Sequence, residues 1–428
     1  MSGGRVANGK TVERGGAVEG GLRILVVTQY FWPEDFRIND LARGMHERGH
    51  RVTVLTGLPN YPSGRLFEGY GARGPRVQDY HGVRVVRVPL VPRGTGRGAR
   101  LAVNYASFAL SASVLGPLRA RGEFDVILVF EPSPITVGLP ALVLRRFKRV
   151  PVLFWVQDLW PETLEALGIV RSPRVLRGVD RLARLIYRGC DRILVQSRAF
   201  APFIERLGGA GRIRYFPNTA EAFYRPVPPE QARGVPPLPE GFRVMVAGNI
   251  GASQAFPTLL DAAERLRDAH PDIHFVIVGD GRMRGWVEEQ VRERGLGGTV
   301  HLVGRHPAES MPHFFAQADV LLAMLAREPV FEHTIPSRVQ SYLACARPVI
   351  ASLDGEGARV VREAGGTACP AEDAGALAEA VLALRETGAE ERAAMGARAR
   401  AYFLEHFDRE MLMERLEGWM RELAEARR

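Results

Sequence analysis

The chain has 428 residues, of which 46% are hydrophobic and 25% charged, with a formal net charge of +9. That balance excludes a disordered or fibrous protein and leaves room for two globular domains of ordinary size. The basic residues are nearly all arginine, a bias that reads either as the mark of a GC-rich genome or as attraction to phosphates or an anionic membrane surface; no basic run is interleaved with aromatics, so nucleic acid is not expected. Cys190, Cys345 and Cys369 lack metal-ligand spacing, and their odd number argues against a disulfide framework. A reducing, cytoplasmic setting is expected. No apolar run is read as long enough to span a membrane.

Residues 1–22 are Gly-rich and polar without an apolar core, which predicts a disordered leader rather than a signal peptide. Leu22 to Thr28 is an aliphatic run and predicts a buried strand. The loop QYFWPEDF follows, then a helix from Arg37 to Gly49 with Ile38, Leu41, Ala42 and Met45 on one face, then a strand from His50 to Thr56. This strand–helix–strand order predicts a doubly wound α/β sheet. The first loop lacks Gly-x-Gly-x-x-Gly, which disfavours a dinucleotide-binding dehydrogenase. Further strands are predicted at Val83–Val88, Asp125–Phe130, Pro151–Val156, Asp191–Gln196 and Ile213–Phe216. Helices are predicted over residues 97–121, apolar with arginines at both ends, and Ile135–Phe147, with a basic end.

Residues 225–241 are proline-rich and read as an extended linker. The α/β pattern then restarts. Strands are predicted at Phe242–Ala247, Ile273–Val278, Val300–Val303 and Val320–Met324; helices at Ala255–Ala269, Arg284–Arg294, near Met311, and Ala374–Arg385. In TIPSRVQSYLACARPVI (334–350) a helix begins near Pro336, with Thr334 as a cap and Val339, Tyr342, Leu343 and Ala346 toward a core, and a strand follows at Val349. Residues 391–428 read as largely helical. The expected organisation is a leader (1–22), a first Rossmann-like domain (23–224), the linker (225–241), a second such domain (242–400), and a C-terminal helix (401–428) that packs back across the junction.

Ligands of parallel sheets bind beyond the carboxyl ends of the strands. Three second-half loops fall there: Gly248-Asn249-Ile250-Gly251 with Gln254, Gly279-Asp280-Gly281, and Thr334–Ser337. Glycines admit a ligand to the backbone, and the 334–350 helix offers free amides, Ser337 and Arg338 to a diphosphate. Each loop alone also reads as an ordinary strand–helix turn, and for the 334–350 helix taken alone an ordinary capped amphipathic helix is the favoured reading. In the first half Asp158 and Glu162 sit at a strand end, as acid/base or hydroxyl-binding groups; Asp158 can equally cap a helix starting near Trp160. Trp32 and Tyr61 are candidates to stack on a sugar, or to pack under loops. Asn60 reads either as a ligand contact or as turn chemistry, and His333 as a proton-transfer aid or a surface residue. No metal cluster is read in the sequence.

Taken together, QYFWPEDFRINDLARGMHERGHRVTVLTGLPNYPSGRLFEGY (29–70), VQDLWPE (156–162), FPN (216–218), AGNIGASQ (247–254), VGDG (278–281) and TIPSRVQSYLACARPVI (334–350) resemble the retaining glycosyltransferases of family 4. Within it they are similar to the WbuB-like branch of O-antigen, capsule and colanic acid synthesis. The resemblance implies the two-domain GT-B fold, a donor bound mainly by the second half, an acceptor bound by the first half, and no metal or other cofactor. It carries the donor role onto Gly248 to Gly251, Gln254, Gly279 to Gly281, Thr334, Pro336, Ser337, Arg338 and Ser341, and the acceptor role onto Trp32, Arg37, Asn60 and Tyr61. The chain also departs from the family. Two glutamates common in it fall on His333 and Ser341, with Glu332 beside the first. The Arg and Lys that often grip the diphosphate fall on Asn249 and Gln254. A histidine common at a strand end falls on Gln157, leaving Asp158, with Glu162, Glu332 and His333, as the catalytic candidates.

The reading that results is transfer of a hexose or N-acetylhexosamine from a nucleoside diphosphate sugar, UDP-linked, to a polyprenyl-diphosphate-linked or saccharide acceptor. The enzyme is expected in the cytoplasm, with the inner face of the membrane as a candidate site of peripheral binding through residues 97–121; the alternative for that apolar helix is that it covers its own sheet and leaves only its arginines to the surface. The alternatives are a nucleotide-sugar 2-epimerase of the same fold and a non-catalytic sugar-nucleotide-binding protein.

Overall fold

The computed structural model describes residues 20–71, 73–94, 98–166, 170 and 172–427; the expected leader, except residues 20–22, and Arg97 lie outside the described residues. The first domain is an eight-stranded sheet of β1 (Arg23–Val27), β2 (Arg51–Gly57), β3 (Val77–Tyr80), β4 (Val83–Val88), β5 (Val126–Glu131), β6 (Val152–Val156), β7 (Arg192–Val195) and β8 (Ile213–Tyr215). Its order is β3-β4-β2-β1-β5-β6-β7-β8. All neighbours are parallel except β3, which runs antiparallel to β4 at the edge. The second domain is a six-stranded parallel sheet of β9 (Phe242–Asn249), β10 (Ile273–Asp280), β11 (Val300–Gly304), β12 (Val320–Met324), β13 (Val349–Ser352) and β14 (Thr367–Cys369), in the order β11-β10-β9-β12-β13-β14. The molecule is therefore an α/β protein of two doubly wound sheets.

The central strands are buried along most of their length, β5 and β6 in every residue, as expected of parallel strands covered on both faces. One face of the first sheet is covered by the helices Gly98–Arg119, Gly138–Lys148 and Pro173–Arg188. The other is covered by Arg37–Glu47 together with the last helix of the chain, Arg409–Glu425. Against the sequence reading, Gly98–Arg119 is by length and composition apolar enough to cross a membrane. Ala, Ser and Gly break its bulky runs, so only the average over the helix reveals it. Its Phe108, Ala109 and Ala112 are nonetheless buried in the first domain's core.

The C-terminal region is largely helical, as expected, and consists of two helices, Ala389–His406 and Arg409–Glu425. Ala389–His406 stays on the second domain, with Ala399, Phe403 and Phe407 in that core. Asp408 then starts a new helix, accepting a hydrogen bond from Met411 N (2.9 Å), as a side-chain N-cap does. The chain crosses between domains at this point and again near residues 217–224. The two crossings are bonded to each other, since Thr219 Oγ1 donates to Phe407 O (2.6 Å). Arg37 also donates to Thr219 O. All three cysteines are buried free thiols.

Candidate active site

The helix over Ser337–Ala344 positions one cation. Val339, Tyr342 and Leu343 fix its inner face in the core. The Tyr342 hydroxyl accepts from Ala247 N (2.9 Å), which ties the helix to β9. Arg338 stands one turn before Tyr342, on the same face, and comes to rest over the end of β9. A methyl group placed on Gly248 would lie 3.3 Å from Arg338 Nη2. Arg338 makes no ion pair or hydrogen bond among the described residues, and its Nη1 is enclosed without a partner. Burial pulls the guanidinium below the ordinary arginine range, yet an arginine remains charged at any working pH.

The helix start differs from the sequence reading. Pro336 is the residue before the helix rather than in its first turn, and no side chain caps it. Thr334 Oγ1 turns away and donates to Phe331 O (3.0 Å), because the preceding Pro329–Glu332 turn offers a nearer acceptor. The first amides of the helix are left facing the cleft without a side-chain partner, beside an unpaired cation. That combination attracts an anion.

β9 and β10 pair so that Gly248 faces Gly279 and Asn249 faces Asp280. Ile250 N donates to Asp280 O (2.9 Å) and Met283 N to Ile250 O (3.0 Å), which locks the two loops together. Between the domains lies a cleft of about 1090 Å3. Its floor brings together Gly248, Asn249, Gly279, Asp280, Ser337, Arg338 and Ser341, with Arg37 reaching in from the first domain. Ile250 is buried beneath the loops, and Gly251, Gln254 and Gly281 adjoin them without lining the cleft. The sequence reading missed its other wall, Arg305, His306 and Glu309, and the crossing residues Glu221 and Tyr224. Tyr224 and Ser341 line the cleft together.

The remaining candidates lie elsewhere. Asp158, just beyond β6, caps no helix N–H among the described residues; its backbone N–H donates to Glu131 Oε2 at 3.5 Å. Glu131 closes β5 and is fully buried. Burial pushes the Asp158 carboxyl up to about 7, and burial with the charge of Asp158 pushes Glu131 well above the carboxylate range. Glu162 is tied to Arg206. The His333 ring packs on Phe203 of the first domain (4.8 Å), and Glu332 is exposed at the end of its turn. Asn60 is fully buried and braces loops, accepting from Arg93 N (3.0 Å) and donating to Leu58 O (3.0 Å), which supports the turn reading for it. Trp32 packs on Tyr80. Tyr61 is 37% exposed and lies under Arg93.

Comparison with known proteins bears on both domains. The model of a glycosyl transferase 4-like domain matches residues 36–219, and that of glycosyl transferases group 1 matches residues 241–387. WcaI of Escherichia coli (strain K12), assigned to colanic acid biosynthesis as a glycosyl transferase, is 26% identical over 339 residues, 76% of this chain and 81% of that protein. The 2-deoxystreptamine glucosyltransferase of Streptomyces kanamyceticus is 27% identical over 292 residues, 66% of this chain and 72% of that protein. Among solved structures, HepE of Anabaena in complex with UDP superposes with a TM-score of 0.68 at 16% identity, covering 94% of this chain and 100% of that one. Sucrose-phosphate synthase of Thermosynechococcus elongatus gives 0.71 at 19% identity, over 95% and 100%. With one glycosyltransferase model on each sheet domain and the two sheets facing across a cleft, the chain belongs to glycosyltransferase family 4 and has the GT-B fold.

Proposed function

We propose that the protein is a retaining transferase that moves a hexose or N-acetylhexosamine from a UDP-linked sugar to a lipid-linked or saccharide acceptor in surface polysaccharide synthesis. The observation that carries this reading is the unpaired Arg338 guanidinium over Gly248, beside the uncapped start of the Ser337–Ala344 helix. The likeness to WcaI favours a polysaccharide pathway, and HepE, of the same fold, was solved with UDP-glucose.

In this reading the diphosphate lies between the Gly248 and Gly279 loops and the helix start. As the sugar–phosphate bond breaks, negative charge gathers on the departing diphosphate. Arg338 and the helix amides stabilise it from fixed positions, with no reorganisation at the moment of reaction. Asp158, at the end of β6, orients hydroxyl groups of the sugar or acceptor.

The test is a panel of nucleotide sugars, each assayed for binding by calorimetry and for product in the presence and absence of saccharide acceptors. A UDP-sugar that binds, and whose sugar appears on an acceptor with its anomeric configuration kept, supports the reading. Conversion of UDP-N-acetylglucosamine to its 2-epimer without an acceptor would replace it with the epimerase. Binding without any turnover would leave a sugar-nucleotide-binding protein.

A further inference from the structure

We infer that the outer face of three adjoining helices of the first domain, Gly98–Arg119, Gly138–Lys148 and Pro173–Arg188, docks on an anionic phospholipid bilayer. An ordinary surface helix turns polar residues outward. Gly98–Arg119 does the reverse: Ala99, Val103, Ala106, Leu110, Val114 and Leu118 recur at helical spacing and are all exposed. Leu110 and Leu118 are each 68% exposed, as freely as residues of a loop. Phe147 adds an exposed ring at the end of the second helix, and Val175 and Leu185 stand out from the third. Of ten large hydrophobic residues exposed among the described residues, seven lie on these three helices. The buried faces of all three sit in one core cluster, so their outer faces form one side of the domain. An apolar surface of that extent marks an interaction site.

Charge decides what covers it. The three helices, with Arg149 directly after the second, carry eleven arginines and lysines against one acidic residue, Asp180, and Asp180 is already paired with Arg184 (3.0 Å). Arg146, Arg149, Arg174, Arg177, Arg181 and Arg188 have no acidic partner among the described residues. A second copy of the chain meeting this face would set cation against cation. An anionic leaflet instead offers phosphates to the arginines and acyl chains to the apolar stripe, the arrangement of a helix lying in the interface plane. The Gly98–Arg119 helix rests on the sheet and does not span the bilayer in this arrangement, since its Phe108, Ala109 and Ala112 are buried in the first domain's core. The inference stands on this surface and not on the proposed reaction.

The experiment is co-sedimentation of the full chain with vesicles of phosphatidylcholine, alone or with phosphatidylglycerol, at low and high salt. Two variants accompany the unaltered chain: Leu110→Ser with Val114→Ser and Leu118→Ser, and Arg146→Gln with Arg149→Gln, Arg177→Gln and Arg181→Gln. All seven positions are exposed or lie at the helix surface, and UDP calorimetry with thermal melting reports whether the fold is kept. Binding to the phosphatidylglycerol vesicles only, weakened by salt and at least tenfold in each variant, supports the inference. Equal binding to neutral vesicles, no binding to either, or variants that bind like the unaltered chain would overturn it. So would a dimer that dissociates only in the serine variant, which would make the face a contact between copies.

Discussion

The guanidinium of Arg338 stands over the backbone of Gly248, with Nη2 3.3 Å from the place a Cβ would occupy on that glycine. A cation without a partner, next to a residue without a side chain, leaves a gap of anionic preference. Arg338→Ala is expected to weaken UDP binding by about 1.5–3 kcal/mol, the worth of a charge-assisted contact. The same change is expected to leave the melting temperature level or raise it, because an unpaired cation in a closed setting costs desolvation. Calorimetry with UDP beside a thermal melt checks both; unaltered affinity would place the diphosphate elsewhere.

Gly279 opposes Gly248 across the β9–β10 pair, with φ at +154°. A Cβ there would sit 1.9 Å from Gly248 O, a backbone atom that cannot move aside. Gly279→Ala is therefore expected to cost on the order of 1–3 kcal/mol of stability and to disrupt UDP binding with it. Gly285, in the Arg284–Glu293 helix with open space around its Cα, is the control. Gly285→Ala is expected to leave binding intact and to gain ~0.5–1 kcal/mol. Urea melts of the two variants should move in opposite directions.

Much of the donor side was legible because aliphatic runs mark the strands and glycine pairs follow two of them. The same rule, applied after β11, would have found Arg305 and His306. Glu221 and Tyr224 carried no such signal; they enter the cleft only because the chain crosses there. β3 was invisible because VQDY alternates without an aliphatic run, as an edge strand does. Glu131 read as the polar end of a buried strand, and nothing local says that β6 brings Asp158 beside it. The break before Arg409 had a signal in Asp408, an N-cap residue, but the apolar spacing runs on through it.

Asp158 and Glu131 make stability depend on pH. Burial pushes Asp158 up to about 7 from an unfolded value near ~3.9. The folded chain thus holds this proton more tightly, so stability falls as pH rises from about 4 to about 7 and levels off above. Asp158→Asn removes that slope: the variant is expected to gain on the unaltered chain as pH rises from 5 to 8. A residual slope is expected from Glu131, raised by burial and by Asp158, and from Glu34, which burial pushes to about 7. Turnover per folded molecule is expected to drop by ~10²-fold or more if Asp158 takes part in proton or hydroxyl handling. Normal turnover with an altered melt would confine Asp158 to a structural role.

Leu416 follows the whole second domain in the chain, yet its side chain is buried in the core of the first, packed into one cluster with Ile38, Leu41 and Met45. Leu412, Met413 and Met420 share the same face of the Arg409–Glu425 helix and are no more than 3% exposed. The helix also carries ion pairs to the first domain, Arg409–Asp40 at 2.7 Å and Glu422–Arg192 at 2.7 Å, but Glu422 is largely exposed and pairs of that kind contribute about 1 kcal/mol or less. The apolar face is what holds the helix down. Leu416→Ala is expected to cost ~2–5 kcal/mol, and Arg409→Ala clearly less. Because the helix is attached through Phe407 to the bonded pair of crossings, its loosening should reach the relation between the domains before it reaches the second domain's own loops. Leu416→Ala is thus expected to lower the first unfolding transition in urea while UDP affinity below that transition stays close to the unaltered value. A variant that melts like the parent would show that the helix rests on the first domain without stabilising it.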